Sequence, residues 1–556
     1  MVRRRCVALC FPLLLMACGR RSSPLPTAEA AAEHPAGVIS AEMGPSAPVG
    51  PTQAAASSAP SASVAAASEA APKAKPADPF AHRPRVYAKA RFVWVARAPR
   101  SPAGWIGFLG AGDSAPLKAD TPAAAAVAQE KSCTWYAIEP LGYVCAGGAE
   151  ATLDPADPVY QQAKALVPDF ESPYPLRYGS SIGAPRYPSL PTAKDLARRE
   201  PDLTLHQEAI ARVRAAGPTP WGVEYPPAPK VRETRDEWLR GVDLGPAREP
   251  VATSHMLVSP LLREERDYIV PHSTISWARE IEHEGRAYLL TADHAVIPKD
   301  RVRPFPRSEF RGVKLGGEVQ LPMAFVRGAN SQPRYVRAGD GFAPSGDPIP
   351  RHGHVMVTGR KETVGKQVFL ETREPGVWVD AGTVTVAAPS EPPTMPLRDA
   401  AAGRAPGARA SWFEVSVLGG WLIAYEYGKP VYVTLISPGR GTVPVPGIDP
   451  RATASTPVGL FRVDGKFRTA TMVASGDPNL VHTDVNWVMN FHGPHALHGA
   501  YWHDKWGEPK SAGCINLSSA DAKWAFEFAE PRMPEGWRGA RTTDVLGGVT
   551  VVWVHP

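Results

Sequence analysis

Residues 491–528 read FHGPHALHGAYWHDKWGEPKSAGCINLSSADAKWAFEF, and the rest of the chain is interpreted outward from them. The stretch holds four histidines, His492, His495, His498 and His503, and one cysteine, Cys514. Acyl transfer through sulfur needs a thiolate nucleophile, a base that takes and returns its proton, and donors for the developing oxyanion. Cys514 supplies the nucleophile. Gly513 before it removes a Cβ from the approach path and permits a turn that other residues resist. His498, followed by Gly499 and sixteen positions upstream of Cys514, is the expected base, since two strands joined by a loop of that size set imidazole beside sulfur. Downstream, Ser518 or Ser519 with Asp521 opens a helix whose Ala520, Trp524, Ala525 and Phe528 form an apolar stripe. Its positive end falls within a few residues of Cys514, a placement that lowers a thiol pKa when it points at the sulfur.

Around this stretch the signal is β. Trp412 to Val417, Trp421 to Tyr425, Val431 to Ile436 and Gly459 to Val463 are apolar or alternating runs ended by Gly or Pro. After a Pro/Ala/Arg-rich break at 388–409 they make one β-rich domain over 408–556. Upstream, Val86-Tyr87, Phe92 to Val95, Gly104 to Phe108, Trp135 to Ile138 and Leu141 to Val144 are short strands between turn residues, as in a small barrel. Looser versions recur at Ile275 to Val302 and Val368 to Val386. The organisation expected is therefore mainly β and multidomain. Modules cover 80–160, 265–310 and 311–390, with a Pro-rich connector over 161–264 holding one helix, Leu205 to Ala216. That helix shows Leu205, Ala209, Ile210 and Val213 on one face and Gly217 as its stop.

Two resemblances attach to these residues. The upstream modules are similar to bacterial SH3-type modules that associate with the cell wall. The run His498-Gly499-Ala500-Tyr501-Trp502-His503, then Gly507, then Ser511-Ala512-Gly513-Cys514-Ile515-Asn516, resembles the L,D-transpeptidase (YkuD-type) signature. Ser437-Pro438-Gly439 and Thr456-Pro457-Val458-Gly459-Leu460-Phe461 are similar to that family's supporting segments, so the likeness covers about residues 410 to 556. It implies that Cys514 accepts the acyl group with His498 as base. It implies too that Ser511 and Asn516 shape the loop, that the amides of Gly513 and Cys514 face the oxyanion, and that Gly499, Tyr501, Trp502 and His503 border the donor cleft. The implied substrate is a peptidoglycan stem peptide, attacked at the L-centre before a terminal D-residue, with a side-chain amine of a second stem as acceptor and no cofactor. Ala512 departs from the family, which carries a histidine there; His495 and His503 are the candidates to fill its place. A catalytically degenerate wall-binding protein is the alternative.

The four histidines have spacings of three and five that resemble zinc ligand runs, but without the helical His-x-x-x-His geometry no metal is expected. The N-terminus carries Arg3 to Arg5, the apolar run Val7 to Met16, then Ala17 and Cys18. Ten or so apolar residues are too few to span a bilayer, so the run reads as an export signal over 1–17. Leu15-Met16-Ala17-Cys18 resembles a lipobox, which implies lipidation at Cys18 and, with Gly19 next, a periplasm-facing lipoprotein of the outer membrane. Residues 18–79, rich in Ala, Pro and Ser, form a tether that buries too little to fold. Cys6 and Cys10 leave with the signal, and the remaining cysteines, Cys133 and Cys145, bracket two strand-like runs that a hairpin would bring together as a disulfide in an oxidising compartment. The formal charge of +6 over 556 residues, reduced further when the leader arginines leave, is too weak and too scattered for nucleic acid.

Overall fold

The computed structural model describes residues 79–100, 104–215, 268–391, 410–474, 477–541 and 548–556. The export signal 1–17, Cys18, the tether up to 78 and the connector from 216 to 264 lie outside the described residues. Among the described residues no helix is long and apolar enough to cross a membrane.

The chain is mainly β, and its runs of β-branched and aromatic residues become strands where the hydrophobic alternation places them. Two sheets build the C-terminal region. One is six-stranded, ordered Val313–Lys314, Lys429–Leu435, Trp421–Glu426, Ser411–Ser416, Val551–His555, Gly459–Arg462. Within it Val551–His555 lies between Ser411–Ser416, to which it runs parallel, and Gly459–Arg462, to which it runs antiparallel. The other is a thirteen-stranded sheet with the antiparallel pair Gly465–Ala474 and Asp477–His492 at its centre. Between them lies a core of Phe413, Val415, Leu422, Trp487, Met489, Leu497, Ile515 and Leu517. The helix Ser519–Phe528 closes it with Ala522, Ala525 and Phe526. Of the stripe expected, Ala525 and Phe528 are buried in this core, while Ala520 and Trp524 are half-buried, Trp524 packing against the core and stacking on Tyr432 with ring centroids 3.9 Å apart.

The thirteen-stranded sheet also takes strands from far upstream. Trp105–Leu109 pairs with Gly539–Arg541, which pairs with Gly465–Ala474. On the opposite side Thr274–Trp277 runs parallel to Asp477–His492, with Thr274 opposite His482. Trp537 and Ala540 complete the core formed by Val86, Val93, Val95, Ile106, Leu109 and Val144. There Cys133 and Cys145 are joined in a disulfide, Cα to Cα 5.6 Å, on the adjacent strands Thr134–Ala137 and Tyr143–Ala146 and the turn before them. A separate seven-stranded sheet spans residues 323–387, and its Met323, Phe325 and Ala387 pack on Trp412, Trp421 and Trp506. The predicted helix is present as Leu203–Ala215, but Leu205 and Val213 are 69% and 48% exposed. Its apolar residues are too few and too interrupted by charge to define a buried face.

Candidate active site

The strand His495–Gly499 pairs antiparallel with the end of Asp477–His492 and parallel with Ile515–Leu517, in register Leu497 to Ile515, His498 to Asn516 and Gly499 to Leu517. Parallel neighbours need a crossover, and residues 500–514 provide it as a loop that returns at Cys514, immediately before the strand. Gly499 must be glycine: a Cβ there would stand 2.4 Å from Asn486 Oδ1.

The turn carrying Cys514 is held from several sides. Gly513 N donates to Ser511 Oγ at 3.0 Å, and Ser511 Oγ donates to the Cys514 carbonyl at 2.6 Å. Ser511 N donates to Pro438 O, Arg440 N to Ser511 O, and Ser437 and Asn516 exchange two backbone hydrogen bonds. Gly439 N donates to Thr456 Oγ1 at 2.8 Å. The segments 437–439 and 455–456 thus converge on the turn from which the thiol projects. Gly513 has φ of +125°, and a Cβ on it would lie 2.8 Å from Ser455 O and 2.9 Å from His495 Nε2. Only glycine fits.

Cys514 is partly exposed, with Sγ 3.9 Å from Pro494 O. Burial pushes its thiol up to about 11, opposed by a backbone hydrogen bond from Ala496. The thiol therefore rests protonated; the helix downstream starts at Ser519 and is capped by Ser518. His498 is buried at 2% exposure, and burial holds it down to about 4, so it rests neutral. Its Nδ1 lies 3.1 Å from Gly499 O. A carbonyl only accepts, so the proton sits on Nδ1 and Nε2 is left as the base. The register brings His498 onto the strand beside the one that Cys514 precedes, but the sulfur's hydrogen-bond contact is with Pro494 O rather than with an imidazole.

The other histidines differ. His495 Nδ1 donates to His492 O at 3.1 Å, and its buried Nε2 has no hydrogen-bond partner. His503 Nδ1 accepts from Lys505 N at 3.2 Å, which puts the proton on Nε2. That Nε2 lies 3.0 Å from the side-chain nitrogen of Asn516, while Asn516 Oδ1 is buried without a partner. Two donors cannot face each other. Turning the amide so that His503 Nε2–H donates to Asn516 Oδ1 satisfies both groups. Burial holds His503 down to about 3.

Of the residues expected to border a cleft, Trp502 is half-buried and stacks on His482 at 4.4 Å, with His498 at 5.8 Å. Tyr501 is buried, stacked on Tyr178 at 3.8 Å, with its hydroxyl bonded to Thr274 and Thr483 O. Its place is in the packing beneath the site. Sequence reasoning did not reach His482, or Asp504, which sits in the crossover loop with partners far away in sequence. Asp521 was legible only as a helix-start residue. In the fold its buried carboxylate also accepts from Tyr432, Thr434 and Gly312 N, so it joins the helix to the strand Lys429–Leu435.

Residues 415–544 match the family model of the L,D-transpeptidase catalytic domain (YkuD). No curated protein matches the chain. Among solved structures, an L,D-transpeptidase from Xylanimonas cellulosilytica is 24% identical, with 27% of this chain and 63% of that one covered and a TM-score of 0.19. This chain thus spans less than two thirds of that protein. The catalytic domain of the Enterococcus faecium L,D-transpeptidase is 24% identical, covering 26% of this chain and 96% of that one, with a TM-score of 0.20. An L,D-transpeptidase from Mycobacterium tuberculosis is 19% identical over 36% and 77%, with a TM-score of 0.19.

Proposed function

Residues 415–544 carry an L,D-transpeptidase catalytic domain, and from that premise we propose that the protein is a cysteine acyltransferase acting on peptidoglycan stem peptides through a Cys514 thioester. The observation that carries this reading is the partly open thiol on the Ser511–Gly513 turn, with a neutral His498 on the neighbouring strand whose Nε2 is left without a proton.

Thiol and imidazole are both neutral at rest, so proton transfer accompanies attack. As the sulfur bonds to the carbonyl carbon of the L-centre, His498 Nε2 takes the thiol proton. Gly513 N–H is committed to Ser511 Oγ, which leaves the Cys514 amide to face the oxyanion. Collapse breaks the peptide bond, and the imidazolium returns the proton to the departing amine of the terminal D-residue. The thioester then passes its acyl group to the amine of a second stem, and the thiol is regenerated. Asn516, beside His498 and oriented by His503, holds the strand pair in register.

The competing reading is a degenerate wall-binding protein. Incubating the full-length protein with a carbapenem distinguishes the two by intact mass. We expect a one-to-one adduct mapped to Cys514, absent from Cys514→Ala. Folded wild type without an adduct would support the binder.

A further inference from the structure

Four polar contacts meet at Asp504, in the loop between His498 and Cys514. Its carboxylate accepts from Trp506 Nε1 at 2.7 Å, from Ser308 Oγ, and from Arg351 Nη1 at 2.9 Å. Arg351 Nη2 donates to its backbone carbonyl, so one guanidinium grips both the side chain and the main chain of the same residue. Trp506 Nε1 also donates to Ser308 Oγ at 3.0 Å. Trp506 is fully buried, its ring 6.4 Å from that of Phe310, which lies 5.2 Å from the ring of His352. Ser308, Phe310, Arg351 and His352 all lie outside residues 415–544. Arg351 belongs to the turn before the strand His354–Val364 of the separate seven-stranded sheet.

The residue before Asp504 is His503, whose Nε2–H orients Asn516, the cross-strand neighbour of His498. A guanidinium fork fixes direction as well as distance, unlike a lysine's point charge. We infer that Arg351 is a positioning residue of the Cys514 site: by clamping Asp504 it sets His503 against Asn516 and holds the crossover loop in its working shape. The catalytic domain thus borrows part of its scaffold from the sheet before it. The clamp is surface-accessible, with the Arg351 and Asp504 side chains 35% and 40% exposed. Its effect on stability is therefore small, while its effect on geometry is not.

The inference rests on the acyltransferase reading, and the experiment separates their failures. Carbapenem acylation of Cys514 is timed in full-length wild type, Arg351→Ala, Arg351→Lys, Asp504→Asn and the Arg351→Ala/Asp504→Asn pair, alongside thermal melting. We expect Arg351→Ala and Asp504→Asn each to slow acylation about tenfold to a hundredfold. The pair should be no slower than either single variant, Arg351→Lys should be intermediate, and melting temperatures should stay nearly unchanged. Salt at about 1 M should slow wild type towards Arg351→Ala. Wild-type rates in Arg351→Ala, or additive losses in the pair, would overturn the clamp. If Arg351→Ala fails to fold, Arg351→Lys and the salt series decide. If wild type is not acylated, the acyltransferase reading falls, and nitrogen NMR of His503 decides the clamp: one tautomer in wild type and an averaged ring in Arg351→Lys support it, and an unchanged ring sinks it.

Discussion

Two buried polar regions of the molecule handle their hydrogen-bonding groups in opposite ways. Around Glu200 the groups are paired. Arg286 donates to both carboxylate oxygens of Glu200 at 2.8 Å and also to Asp300, Arg301 adds a bond at 3.2 Å, and Tyr187 donates at 2.7 Å. Burial alone would raise the Glu200 carboxyl, but the hydrogen bonds from Arg286 and Tyr187 hold it below its usual range. Around Cys514 the pairing is incomplete: His495 Nε2 has no partner, burial holds His498 and His503 neutral, and the turn needs a glycine at positive φ. Buried groups left unpaired cost stability, and they persist where a substrate or a proton is to be received. The ion pairs centred on Glu200 hold the fold, and the open acceptors beside Cys514 are set for chemistry.

The contrast can be broken from either side. Glu200→Ala should give the largest effect, because it removes the buried carboxylate shared by two guanidiniums and leaves Arg286 only Asp300 and Arg301 only Asp202: a loss of about 3 kcal/mol in unfolding free energy by denaturant titration. The protein that remains folded should still acylate Cys514 at the wild-type rate. Gly513→Ala should do the reverse, with acylation falling about a hundredfold, roughly 2.7 kcal/mol of barrier, and a smaller change in melting temperature. If Gly513→Ala acylated normally, the turn would not be the element that aims the sulfur.

The smallest effect sharpens the comparison by pH. His498 and His482 are held at about 4 in the fold against an ordinary 6.5, so between those values the unfolded chain binds protons that the folded one does not. Their contribution is full above about 6.5 and is lost as pH falls towards 4, by about 1–2 kcal/mol each at about pH 5. Glu200 is depressed from 4.5, so its contribution begins to go only at lower pH. Hydrogen exchange on acidification should therefore deprotect the strand His495–Gly499 before Arg286–Leu290. Simultaneous loss would mean that the two regions open as one.

How much of this was legible in the sequence follows from the range of each interaction. The C-terminal strands were readable because alternation and turn residues are local. So was a helix start at Ser518 or Ser519, which the fold caps with Ser518, and the segment 437–439 does meet the Cys514 turn with Thr456 bonded behind it. Trp537 inside the core of residues 86–151, and Arg351 on Asp504, were not readable, since nothing in a basic or aromatic residue names a partner hundreds of positions away. Tyr501 lies beside catalytic-type residues in sequence, yet the turn that follows Gly499 sets it into the packing. Ala512 drew attention to a missing imidazole; next door, the fold puts the unpaired Nε2 of His495 behind Gly513.

The strand Val551–His555 is interior to its sheet, inserted between Ser411–Ser416 and Gly459–Arg462. Until that segment docks, the sheet keeps an open slot flanked by two unpaired edges, and the layer beneath Leu497 and Ile515 is unsealed. Closure of the floor under the thiol therefore waits on a strand further along the chain.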